Sequence, residues 1–149
     1  MLRGSLAISG LTRLQDSLYD NQGLVDFVVR GGVDARQRPM LGLEIAGVLH
    51  LKCQRCLGAF DFPLRLESTL RLASAAEAAA AGLDDEEGEW IEPSPALDVG
   101  SLVEDEIILG LPYSPRHAEE QCPAGGGDPA PDAGRSAFAK LAALRRNLN

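Results

Sequence analysis

An α+β fold, with an antiparallel sheet from the N-terminal half and C-terminal helices packed on it, is what three patterns in the sequence predict. Residues 24–72 alternate apolar and polar side chains with the period of two that a half-buried strand requires. Residues 98–111 carry an apolar stripe at helical spacing. A second amphipathic stretch follows over residues 136–147. With 149 residues, 45% of them apolar and 24% charged, the chain reads as a single domain over 1–149. That length buries a core without help from disulfides.

The elements follow in order. Leu11, Leu14 and Leu18 share one helical face, predicting a short helix that Asn21-Gln22-Gly23 ends with turn chemistry. Leu24-Val25-Asp26-Phe27-Val28-Val29-Arg30 predicts a strand, with Gly31-Gly32 as the turn behind it. Met40 to Leu51 predicts a second strand, Gly47 marking a bulge or bend. Phe60-Asp61-Phe62 and the stretch 64–72 predict strand again, with Leu64, Leu66, Leu70 and Leu72 on one face and Arg65, Glu67 and Arg71 on the other. Residues 73–81 are alanine-rich and predict a helix ended by Gly82. An acidic run then reads as a solvated loop over about 82–96, interrupted by Trp90-Ile91 as a short strand or anchor.

In the helix at 98–111, Val99, Leu102, Val103, Ile107 and Leu111 form the stripe, and Pro112 terminates it. Ser101 with Glu104 fits a capping box, while Asp98 is an alternative cap one turn earlier. Glu106 falls on the stripe, where a carboxylate must be paired, hydrogen-bonded or at the edge. Gly125-Gly126-Gly127 and prolines at 123, 129 and 131 make about 119–135 a mobile loop by composition. Phe138, Leu141, Leu144 and Leu148 line the apolar face of the final helix.

Charge is segregated. The net −8 divides into +2 over residues 1–75, −14 over 76–134 and +4 over 135–149. The overall sign argues against a nucleic-acid binder, but the segregation leaves basic surfaces on the first half and the tail. Arg30, Lys52 and Arg55 in the strand region, with Lys140, Arg145 and Arg146 in the tail, are the candidate phosphate contacts. Aromatic residues are only 5%, too few to support base-specific RNA reading from composition. No apolar run approaches the ~18 residues of a membrane helix, and no signal-peptide pattern opens the chain. Three cysteines cannot all pair within one chain. A cytoplasmic protein is the expectation.

Those cysteines carry the chemistry. Cys53-Gln-Arg-Cys56 has the spacing at which a tight turn points two thiolates at one ion, and His117 and Cys122 complete a Cys₃His set suited to a structural zinc. His50 is an alternative fourth ligand, but it lies three residues from Cys53 on a strand and so faces the other way. The competing reading packs Cys53 and Cys56 as small apolar side chains beside a turn. Catalysis has weaker support. Glu104, Asp105 and Glu106 are consecutive on a helix and point about 100° apart. A Cys56–His117 nucleophile pair has no orienting third group. The expectation is that the chain is not an enzyme.

Taken in order, Cys53-Gln-Arg-Cys56-Leu57, then Val103-Glu104-Asp105-Glu106-Ile107-Ile108-Leu109-Gly110-Leu111-Pro112, then His117 and Cys122, then Phe138-Ala139-x-Leu141-Ala142-x-Leu144 resemble the YceD family. The family is bacterial, with plastid relatives, and is implicated in accumulation of the large-subunit (23S) ribosomal RNA. The resemblance implies a non-enzymatic ribosome-biogenesis role in synthesis, processing or stability of that RNA. It implies 23S rRNA or its precursor as partner, directly or through ribosomal or assembly proteins, with no membrane and no small-molecule substrate. A rival role is a small acidic adaptor that binds a basic ribosomal protein without touching RNA. One departure is local: the family's terminal Asn-Pro-Phe-Ala is replaced by Arg135-Ser136 with Ala137 before Phe138, so Ser136 must cap the final helix.

Overall fold

A computed structural model describes residues 1–81, 89–118 and 121–122. Five strands form one sheet in the order β1-β2-β3-β4-β5. They are β1 (Leu2–Ala7), β2 (Leu24–Val33), β3 (Pro39–Lys52), β4 (Ala59–Leu72) and β5 (Glu89–Ile91). The first four pair antiparallel, and β5 joins β4 in parallel. Two α-helices are described, α1 (Ala75–Ala81) and α2 (Val99–Gly110). The architecture is therefore mostly sheet. The final helix expected at 136–147 and most of the loop expected at 119–135 lie outside the described residues.

Alternation decides which face is buried. Val25, Phe27 and Val29 on β2, Leu43, Ile45, Leu49 and Leu51 on β3, and Leu64 and Leu70 on β4 turn to one side and form a common core. Leu102, Val103 and Ile107 of α2 join that core, as do Ile8, Leu11, Leu14 and Leu18. Sixteen buried apolar residues in one cluster make the hydrophobic effect the main force holding these elements together. No described helix is long and apolar enough to cross a membrane.

The structure differs from expectation at several points. β1 is an additional strand: its inward position Gly4 carries no side chain, because a Cβ there would stand 3.0 Å from the Phe27 ring. Residues 12–17 form a 3₁₀-helix, whose three-residue repeat suits Leu11 and Leu14 as well as an α-helix would. Gly31-Gly32 lies inside β2, and the turn sits at Asp34, whose carboxylate accepts the Arg36 and Arg38 N–H groups at 2.8 and 2.9 Å. Gly47 makes no bulge. It stays in register between Val25 and Leu64, where a Cβ would meet Val25 Cγ1 at 3.0 Å and the Leu24 carbonyl at 3.1 Å.

Asp98 caps α2, accepting the Gly100 and Ser101 N–H groups at 2.9 and 3.2 Å. Glu104 instead holds a distant segment. Its carboxylate accepts the Arg13 backbone N–H at 2.6 Å and Arg13 Nε at 3.0 Å, and Asp105 also binds that guanidinium. The two carboxylates hold the guanidinium charged, raising its pKa further. Glu106 is buried on the apolar stripe and makes no hydrogen bond with a described residue.

Candidate metal centre

The long β3–β4 hairpin ends in a six-residue turn, residues 53–58, between Lys52 and Ala59. Cys53 N–H donates to the Gly58 carbonyl at 2.9 Å, and Leu57 N–H donates to the Cys53 carbonyl at 2.9 Å. Leu57 takes a left-handed φ of 61°, a cost of about 1 kcal/mol that a non-glycine residue accepts only where its surroundings hold it. The turn aims N–H groups at sulfur. Cys53 Sγ accepts from Arg55 N–H at 3.4 Å. Burial pushes the Cys53 thiol up, but the N–H groups of Cys56, His117 and Arg55 together outweigh it and bring the pKa down to about 5. For Cys56 the Gly58 N–H lowers the pKa, while burial and the neighbouring sulfurs of Cys53 and Cys122 raise it, and the net direction is upward.

Pro112 stops α2, and the chain returns to the hairpin turn. The Pro115 carbonyl accepts Gln54 N–H at 2.8 Å, which fixes the position of His117 two residues on. His117 Nδ1 lies 3.5 Å from Cys56 Sγ. Its Nε2 lies 3.0 Å from the Ala59 carbonyl, which can only accept, so Nε2 carries the proton and Nδ1 presents its lone pair to the cluster. The Phe60 ring packs on the imidazole with centroids 5.2 Å apart. Cys122 is buried, its Sγ 4.0 Å from Cys53 Sγ, far beyond a disulfide bond.

The four ligand atoms of Cys53, Cys56, His117 and Cys122 all lie within 4.8 Å of one another. A tetrahedral zinc with Zn–S of ~2.3 Å separates its sulfurs by about 3.8 Å, so the 4.0 Å sulfur pair and the 3.5 Å sulfur–nitrogen pair fit that ion closely. Four protein ligands would close the coordination shell and leave no position for substrate. His50 stands apart, its Nδ1 2.9 Å from Asp20 and its Nε2 3.6 Å from Asp61. Among the phosphate-contact candidates, Lys52 and Arg55 flank the cluster, whereas Arg30 pairs with Glu44 on the exposed sheet face. Lys140, Arg145 and Arg146 lie outside the described residues.

The family described as large ribosomal RNA subunit accumulation protein YceD matches residues 41–145, more than half of the chain and all four cluster residues. The chain belongs to the YceD family. A role in accumulation of the large-subunit ribosomal RNA follows from that membership. No curated protein and no solved structure matches the chain significantly.

Two features of this YceD domain stand outside the expected site residues. Arg116 lies beside His117, and Tyr113 is fully exposed between α2 and the cluster. Arg116 is visible in sequence as the lone basic residue between positions 76 and 134. Tyr113 gives no such signal, because its exposure depends on how the chain leaves Pro112.

Proposed function

We propose that the protein is a non-enzymatic ribosome-biogenesis factor, acting in the cytoplasm in synthesis, processing or stability of 23S rRNA or its precursor. Its family match carries that reading. Zinc bound by Cys53, Cys56, His117 and Cys122 serves as a structural clip, supported by the convergence of one lone-pair nitrogen and three sulfurs. The clip fastens residues 113–122 to the β3–β4 turn and so fixes what that end of the molecule presents. The Ala59 carbonyl does orient His117 toward Cys56, contrary to the expectation that no third group would. The closed ligand set nevertheless favours a role without catalysis, because a bound zinc would take up the lone pair a general base needs.

The test is removal of the gene from its host, with 23S and 16S rRNA quantified from the same cells. A fall in 23S relative to 16S, restored by the wild-type chain and not by a Cys53→Ser/Cys56→Ser variant, supports the reading. An unchanged ratio sinks it. Restoration by the cysteine variant removes the clip from the function. An adaptor role, in which the acidic middle of the chain holds a basic ribosomal protein, would keep the 23S phenotype but yield no RNA on crosslinking.

A further inference from the structure

We infer that the cysteine–histidine end is the RNA-contacting surface, formed by Lys52, Arg55, Arg116 and Tyr113. The inference rests on the rRNA reading above and assigns it a place on the molecule. Each of the three cations is the chain neighbour of a cluster residue: Lys52 of Cys53, Arg55 of Cys56 and Arg116 of His117. They belong to two segments far apart in sequence. The Gln54–Pro115 hydrogen bond of 2.8 Å and the 3.5 Å approach of Cys56 to His117 bring those segments together.

Pairing distinguishes these cations from Arg13, Arg30 and Arg38. Their convergence on one turn distinguishes them from Arg3 and Arg65, which also make no ion pair with a described residue. Arg13 is bound by Glu104 and Asp105, Arg30 by Glu44, and Arg38 by Asp34. Lys52, Arg55 and Arg116 make no ion pair with a described residue, and the described residues 51–60 and 111–118 contain no acidic side chain. Glu119 and Glu120 follow in sequence, outside the described residues. Three thiolates around one Zn²⁺ would leave a single net negative charge, fewer than the three cations that flank the ligands. Arg116 is exposed, Lys52 and Arg55 are half-buried, and Tyr113, three residues before Arg116, has a relative exposure of 105%. Cations with no ion pair among the described residues, and an exposed aromatic ring on the same short segment as one of them, match the needs of single-stranded RNA: charge for the phosphates and a flat face on which a base stacks.

The experiment uses the full zinc-loaded chain and labelled single-stranded fragments of a 23S rRNA transcript, with affinity measured across salt and zinc measured per chain. A Lys52→Gln/Arg55→Gln/Arg116→Gln variant should flatten the plot of log affinity against log salt by about 0.7 for each phosphate no longer neutralised. Tyr113→Ala should weaken binding about tenfold with the slope unchanged. Both should keep their zinc. Arg116→Gln alone, at an exposed position, guards against misfolding of the triple variant and should remove about one phosphate's share of the slope. Unchanged affinity and slope in these variants would overturn the assignment. So would loss of zinc with the slope intact, which would make the cations partners of the thiolates. A wild-type chain that binds no rRNA fragment also overturns this surface, while the ratio of 23S to 16S in the deletion strain still decides the biogenesis role.

Discussion

Helix α2 and the segment after it, residues 113–122, are joined by Leu111 and Pro112 yet held by different forces. Three residues of α2, Leu102, Val103 and Ile107, sink into the common core, and Glu104 ties the helix to Arg13. In the following segment Pro115 and Cys122 are the buried residues among those described. It is attached by hydrogen bonds to Gln54 and Ala59, by the Phe60 ring against the imidazole, and by the sulfur–imidazole cluster. Apolar burial needs only water, and it is present whenever the chain is folded. Metal-dependent attachment needs an ion and deprotonated ligands. The first region is therefore fold, and the second, on the proposed zinc reading, is a conditional addition to it.

That contrast is most sharply broken in the core. Ile107 is fully buried, and Ile107→Ala should cost about 3 kcal/mol and lower the melting temperature by about 10 °C. A shift of only a degree or two in thermal unfolding would mean that α2 rests on the sheet no more firmly than residues 113–122 do. Glu104→Ala should come next, at about 2 kcal/mol, because it leaves the Arg13 and Leu14 N–H groups without their acceptor. Denaturant titration should show this loss with an unchanged m-value.

Metal removal should act on the other region. With chelator, the Gln54 amide should lose its hydrogen-exchange protection, and the Arg116 bond should become open to trypsin. The sheet should still melt cooperatively, from the lower midpoint expected once zinc no longer stabilises the folded form. Loss of cooperative melting on chelation would show that the cluster holds the whole fold and not one segment of it.

The two regions also differ in how far they can be read from sequence. Strands β3 and β4 show in the alternation of their leucines, because one face is buried and the other solvated along most of their length. β1 does not show, since Gly4 gives up its side chain to make room for Phe27. Gly31-Gly32 carries turn chemistry but lies in a strand, because Asp34 supplies a stronger local hydrogen-bonding device. Ser101 and Glu104 have capping-box spacing, yet Glu104 is taken by Arg13, a partner 91 residues away that no local pattern reveals. The cluster is legible for the opposite reason: cysteine and histidine are rare here, and tetrahedral ligation limits what they can do together. What joins its halves, the Gln54–Pro115 hydrogen bond, uses backbone atoms and leaves no trace in side-chain identity.

The smallest expected effect lies in the bond between His50 and Asp20, which fastens the end of the 3₁₀ segment to β3 beside the Tyr19–His50 backbone hydrogen bond of 2.8 Å. The hydrogen bond to Asp20, reinforced by its charge and that of Asp61, raises the His50 pKa above its ordinary value. The same hydrogen bond, with the Gln22 N–H, lowers that of Asp20. Stabilisation from His50 is therefore full below the unfolded histidine pKa of ~6.5 and is lost as pH rises through the raised folded value. Stabilisation from Asp20 is full above its unfolded pKa of ~3.9 and is lost as pH falls through the lowered folded value. The two overlap from roughly pH 4 to 6.5, so the melting-temperature difference between wild type and Asp20→Asn should peak there and shrink toward pH 9. Because both side chains are about one-third exposed, water and salt screen the pair, and the difference should also shrink in high salt. A difference that stayed constant from pH 5 to 9 would show that Asp20 acts through its hydrogen bond to Gln22 and not through the imidazolium.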